Sequence, residues 1–291
     1  MNQDLERVKE LVYQHIGQLE VTNISRMGGL TNRTYKVETS GGVYSVRIPG
    51  EGTEELIVRS DEAKSTELAC KLGIDAKLYF FDEKNGEKVT EYLMESETMN
   101  QDTLKSQENI RKCAEIFKTL HTSGADTGVP FDVIEMANTY EEFIARKGGS
   151  FYDDFDEVKK YINQVKESYM PGVKKVPCHN DALCENWIRQ GERMYLIDWE
   201  YAGMNDPMWD LADVSIEADF TDENDAYFLE CYFGREATQK EKEAFLINKV
   251  LIDFLWSLWG KTRAVYDGEE LEEYARVRYE RMKKTMEKMG N

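Results

Sequence analysis

Val176-Pro-Cys-His-Asn-Asp-Ala-Leu-Cys-Glu-Asn-Trp-Ile-Arg-Gln-Gly-Glu-Arg-Met-Tyr-Leu-Ile-Asp-Trp-Glu-Tyr201 is the stretch on which the reading of this chain turns. Trp187-Ile188-Arg189 reads as a strand, Gln190-Gly191-Glu192 as a turn, and Met194 to Ile197 as the returning strand. A hairpin holds its open ends about 5 Å apart. Asn186 and Asp198 therefore face one point, and Asp181 lies on the loop leading into it. Two carboxylates and an amide oxygen converging on a loop suit a hard cation such as Mg2+.

The spacing carries a second message. His179-x-Asp181-x-x-x-x-Asn186 has the catalytic-loop pattern of protein kinases, and Asp198-Trp199-Glu200 stands where their metal-binding Asp-Phe-Gly would come. The rest of the chain allows this. A length of 291 residues with 41% hydrophobic content supports a large core in one domain or two lobes. The net charge of -19 argues against nucleic acid and anionic membranes as partners. Five scattered cysteines form no zinc spacing and read as reduced thiols. The polar, acidic start is no signal peptide, and Val250 to Trp259, interrupted by Asp253 and Ser257, is too short for a membrane span. A cytoplasmic protein is expected.

The periodicities divide the chain. Residues 4–17 predict an amphipathic helix. A strand, the glycine turn Met27-Gly28-Gly29-Leu30-Thr31-Asn32 and two further strands follow, with Tyr44, Val46 and Ile48 on one face of the last and Ser45 and Arg47 on the other. Residues 61–72 predict a helix, and an Asn85-Gly86 hairpin runs from Ala76 to Leu93. Beyond Leu93 the pattern turns helical: 107–121, 139–146, 153–168, 208–219, 223–233, 239–263 and 269–288. The expected class is α+β, with residues 1–94 forming an antiparallel-sheet lobe with one main helix and residues 95–291 a larger, mostly helical lobe.

At Leu196-Ile197-Asp198-Trp199-Glu200-Tyr201 and Asn205-Asp206-Pro207-Met208-Trp209-Asp210-Leu211-Ala212 the chain resembles the choline/ethanolamine kinases, within the aminoglycoside-phosphotransferase group of protein-kinase-like folds. The resemblance implies a two-lobe fold with a nucleotide lobe (1–94) and a catalytic and acceptor lobe (95–291). It makes Asp181 the catalytic residue that orients the acceptor hydroxyl and takes its proton, and Asn186 and Asp198 the ligands of Mg2+ bridging the ATP phosphates. It makes Gly28, Gly29, Thr31 and Asn32 the phosphate-covering loop and Arg47 a phosphate-gripping cation. Arg47 departs from the lysine of protein kinases. Its partner would be Glu62, with Glu67 in reserve. Glu91, Tyr92 and Leu93 would form the adenine-binding hinge, while His179 and Asp210 would brace the catalytic loop.

Choline has no N–H to donate, so it is recognised by aromatic faces and nearby negative charge. Trp256 and Trp259 share one face of a helix, and Tyr274 lies on the next. By resemblance these three, with Glu217, match the choline pocket. Phe220 follows Glu217 and belongs to the same expected set, and Tyr201 and Trp199 would line the same cleft. The expected reaction is ATP- and Mg2+-dependent phosphorylation of choline. Ethanolamine, a thiosugar or an aminoglycoside is the alternative acceptor. A nucleotide-binding regulator of low activity is the alternative from another class, disfavoured because Asp181, Asn186 and Asp198 are all present.

Overall fold

The computed structural model describes residues 2–27, 32–50, 57–267 and 269–290. Gly28, Gly29 and Thr31 of the expected phosphate loop lie outside these residues. The chain opens with helix α1 (Asn2–His15), strands β1 (Val21–Arg26), β2 (Asn32–Thr39) and β3 (Gly42–Pro49), helix α2 (Arg59–Lys71), and strands β4 (Leu78–Phe81) and β5 (Lys88–Glu91). The strands form an antiparallel sheet in the order β1-β2-β3-β5-β4. One face is apolar and covered by α1: Val8, Leu11 and Val12 meet Tyr35, Val37, Tyr44, Val46 and Val89. The other face carries Arg47, which is buried rather than solvated, because Glu62 of α2 stands against it.

The rest of the chain adds β6 (Glu97–Thr98), α3 (Gln101–Leu104), α4 (Gln107–His121), α5 (Val133–Arg146), α6 (Phe155–Ser168), β7 (Val176–Cys178), β8 (Trp187–Gln190), β9 (Arg193–Leu196) and β10 (Gly203–Asn205), then helices α7 (Pro207–Glu217), α8 (Asp222–Phe233), α9 (Gln239–Asp267) and α10 (Glu269–Gly290). The expected hairpin is β8–β9, with Trp187 opposite Leu196. β7 and β10 pair to close the loop between them, and β6 extends the hairpin sheet. These short strands have too few residues for a periodicity to register. Helix α5 begins six residues before the expected start at 139, where Asp132 caps it by accepting from the Ile134 and Glu135 N–H groups.

A second, larger core runs through these helices and includes Phe117, Trp187, Trp209, Phe254 and Leu255. α2 joins it through Ala69 and the following Ile74, so this helix bridges sheet and helices. α9 and α10 approach each other closely at Gly260. A Cβ there would lie 2.9 Å from Tyr274 Cδ1 and 3.2 Å from the Leu271 carbonyl oxygen. Gly260→Ala is therefore expected to cost about 1–3 kcal/mol by overpacking, despite the better helix propensity of alanine. A melting temperature at or above the parent's would count against this packing.

Candidate active site

The loop between β7 and β8 is hung from one face of α7. Asp210 accepts from the His179 N–H (2.9 Å) and the Asn180 N–H (2.8 Å), and Asp213 accepts from the Ala182 N–H (2.6 Å). Asp210, Asp213 and Glu217 follow at i, i+3 and i+7, which places them on one stripe of the helix. Asn180 takes a left-handed backbone (φ 68°), a conformation asparagine tolerates. Its side chain donates to the Tyr201 carbonyl (3.0 Å) and accepts from Asn205 (2.9 Å).

His179 is fully buried, and both of its ring nitrogens are engaged. Its Nε2 lies 2.9 Å from the Ile197 carbonyl oxygen, and its Nδ1 accepts from the Asp181 N–H at 3.3 Å. Together these require the neutral tautomer with the proton on Nε2, and burial, partly opposed by Asp210, lowers the imidazole's proton affinity in the same direction. His179 is thus a brace in geometry. Asp210 reaches the loop from behind and also contacts His121 Nε2 at 3.0 Å. Among the described residues, His121, Cys178 and Asp210 form the one group of potential metal ligands within 4.8 Å of each other. Tyr232 on His121 and the two loop N–H groups on Asp210 account for it as a hydrogen-bonded core cluster.

The hairpin closes as the sequence implies. The Ile197 N–H donates to the Asn186 carbonyl (3.0 Å), and Asn186 Nδ2 donates to the Asp181 carbonyl (2.9 Å). The Asn186 amide nitrogen is thus committed to the loop. Asp198 is held at φ 69°, a strained conformation for a non-glycine residue. Glu200, two residues on, was not among the expected site residues, yet it faces the same space. It accepts from Asn32 Nδ2 at 3.1 Å and lies 3.5 Å from Arg59 Nη1.

These acids repel one another. Burial, then the charges of Asp198, Glu217 and Glu200, push the Asp181 carboxyl up to about 8, with Arg278 pulling the other way. Burial, then Asp198 and Glu62, push Glu200 up to about 7. Carboxylates that resist ionisation together, beside an amide oxygen, are a donor set that fits a hard divalent cation.

Arg47 binds Glu62, not Glu67: its Nη1 lies 2.5 Å from Glu62 Oε1, while Glu67 is exposed. Other Arg47 donors face the β4–β5 turn. Nε and Nη2 both reach the Gly86 carbonyl (3.2 and 2.9 Å), and Asp198 Oδ1 stands 3.7 Å from Nη1. Arg47 therefore ties β3, α2 and the β4–β5 turn together and stands beside Asp198. Arg59 pairs with the other Glu62 oxygen at 2.6 Å. Burial alone would raise the Glu62 pKa, but Arg47 and Lys88 outweigh it and hold the carboxyl below its ordinary range. In the expected hinge, the Tyr92 N–H is taken by the Val43 carbonyl, the Glu91 N–H by that of Lys77, and the Leu93 side chain is buried beside Ala76 and Tyr195.

At the far end of the cleft four aromatic rings join edge to face. Tyr201 and Trp256 have centroids 5.5 Å apart, Trp256 and Trp259 6.1 Å, and Trp259 and Tyr274 5.8 Å. Two expected members are not part of this wall. Trp199 is 1% exposed and packs on the His179 ring, with its N–H on the Leu196 carbonyl. Phe220 packs edge-on against Phe228. Tyr140 of α5 lies within the expected helix 139–146, but its spacing there gives no sign that it faces the Asp181 loop. Its phenol lies near enough to Asp181 for that charge, after burial, to raise its pKa. Cys184 is no nucleophile, since burial and then Glu185 push its thiol up to about 12.

The choline/ethanolamine kinase family model matches residues 21–253, which is most of the chain. The chain belongs to the choline/ethanolamine kinase family. The choline kinase LicA from Streptococcus pneumoniae is 34% identical, with 98% of this chain and 99% of that one covered and a TM-score of 0.83. A choline/ethanolamine kinase family protein from Mesorhizobium loti is 31% identical, with 99% and 95% covered and a TM-score of 0.85. LicA in complex with AMP is 33% identical, with 97% and 98% covered and a TM-score of 0.80. This choline/ethanolamine kinase family member is a phosphotransferase enzyme of the protein-kinase-like two-lobe fold, with the nucleotide-binding character of its family. No helix among the described residues is long and apolar enough to cross a membrane.

Proposed function

We propose that the protein is an ATP- and Mg2+-dependent choline kinase that makes phosphocholine and ADP. The observation that carries the choline assignment is the continuous aromatic wall Tyr201–Trp256–Trp259–Tyr274 near the Asp181 loop. A trimethylammonium group needs ring faces, each contributing about 0.5–2 kcal/mol. A primary ammonium needs acceptors for three N–H groups, and Glu217, the acid beside the wall, is already paired with Arg278.

Asp181 orients the choline hydroxyl and accepts its proton as the γ-phosphoryl group is transferred in line. Asn186, Asp198 and Glu200 are the residues that would hold the cation, which offsets phosphate charge when bound. Residues 1–94 hold the nucleotide: Asn32 and the glycine turn before it cover the phosphates, Arg47 and Glu62 fix the lobe that carries them, and the 91–93 backbone meets adenine. Residues 95–291 hold the acceptor. The net charge of -19 adds no attraction for nucleic acid, so choline and ATP are the partners assigned.

A panel of choline, ethanolamine, methylthioribose and kanamycin, with ADP release as readout, tests this. Choline is expected to have the highest kcat/KM, and a clear preference for any other acceptor would overturn the assignment. Trp256→Ala is expected to raise the KM for choline tenfold or more while the KM for ATP stays within twofold. Equal rises in both would mark Trp256, which is 5% exposed, as a core residue alone.

A further inference from the structure

We infer that Arg278 is a positioning residue of the acceptor site, which fixes the Tyr274 ring and the Glu217 carboxylate as one unit; this rests on the choline reading of that site. Arg278 lies on α10, one turn after Tyr274, and is 5% exposed. Its guanidinium lies over the Tyr274 ring, 4.7 Å from the centroid. Its Nη2 is bonded to Glu217 Oε1, and its Nη1 lies 3.4 Å from Asp253 Oδ1. Asp253, which is fully buried on α9, is gripped from the other side by Arg281 at 2.6 and 2.8 Å.

Two acids and two guanidinium groups thus balance inside the joint between α7, α9 and α10. The aromatic wall stands on that joint. The ring face that Arg278 occupies is closed to the acceptor, so an incoming ammonium meets Trp256, Trp259 and the rest of Tyr274. Arg278 Nε finds no acceptor among the described residues. A buried donor left unmet is costly. The side chain is held by its two carboxylate partners and by the Tyr274 ring, with Nε left unmet, and that arrangement serves the wall.

Positioning by one unit predicts non-additivity. Arg278→Met is expected to raise the choline KM at least tenfold, with kcat reduced less than threefold and the ATP KM within twofold. Glu217→Gln should give a similar rise, and the double variant no more than either single one. Arg278→Lys keeps the charge without the planar fork and should recover part of the loss. If Arg278 only neutralised Glu217, the double variant would return the choline KM to the parental value, and that outcome overturns the inference. So does an unchanged choline KM in Arg278→Met, a parallel rise in the ATP KM, or full additivity. If Arg278→Met fails to fold, Arg278→Lys and Glu217→Gln still report: parental choline KM in both overturns the inference. The same cycle on tetramethylammonium binding, read by tryptophan fluorescence, needs no turnover. A parent that binds this ion and loses it with Arg278→Met, yet never phosphorylates choline, would defeat the choline kinase reading and leave this one standing.

Discussion

Asp181→Asn is expected to reduce turnover at least a thousandfold while nucleotide binding persists and the protein becomes more stable. The loop depends on the backbone of this residue, through the N–H on His179 and the carbonyl on Asn186, so its shape survives the substitution. What is lost is the carboxylate that orients and deprotonates the acceptor. The stability gain follows from linkage. The folded protein binds the Asp181 proton with a pKa of about 8, well above the ordinary value of 3.8. A raised carboxyl pKa favours folding below the unfolded pKa, and that contribution is lost as pH climbs to about 8. Removing the charge therefore stabilises the cation-free protein at neutral pH, by about 1–2 kcal/mol after allowing for solvent in the cleft. It also flattens the fall in stability between pH 4 and 8. Melting curves across that range, beside an ADP-release assay, check both halves. Full activity would end the catalytic assignment, and a less stable variant would end the repulsion argument.

Arg47→Met carries the second large effect, and it strikes the nucleotide side. Arg47 is 5% exposed and bonds Glu62 and the Gly86 carbonyl. Breaking one partner of a buried ion pair costs about 3–5 kcal/mol, because the other charge stays behind. Arg59 remains on Glu62 and should keep the loss near the lower end. The kcat/KM for ATP should fall about a hundredfold, with the choline KM changed less. Denaturant unfolding and steady-state kinetics with each substrate separate the two. A variant that is as stable as its parent, or impaired only toward choline, would show that Arg47 does not tie the nucleotide lobe together.

The site was legible where chemistry and spacing coincide. Asp181, Asn186 and Asp198 sit on a loop and a hairpin whose register depends only on local turns, and Trp256 and Trp259 share a helix face at any tertiary arrangement. The residues that were missed depend on contacts between distant segments. Glu200 follows Asp198 closely, but nothing in its neighbours marks it as turned toward Asn32. Arg278 reads as a surface arginine in a charged helix until α7 supplies Glu217. Trp199 was misplaced for the same reason, since a tryptophan beside a catalytic acid gives no sign of facing the core. The stripe Asp210, Asp213, Glu217 was readable: three acids on one face of a segment otherwise as apolar as Met208-Trp209-Leu211-Ala212-Val214-Ile216 call for partners.

That stripe makes α7 a gauge as well as a support. Its first two acids set the loop that carries Asp181, and its last sets the joint beneath the aromatic wall. An inserted or deleted residue between Asp210 and Glu217 would turn one end against the other by about 100°, detaching the acceptor from the reacting phosphate however well each half folded. Length variation across related genes should therefore spare this helix, while the rings that α9 and α10 add to the wall are free to change and, with them, the acceptor.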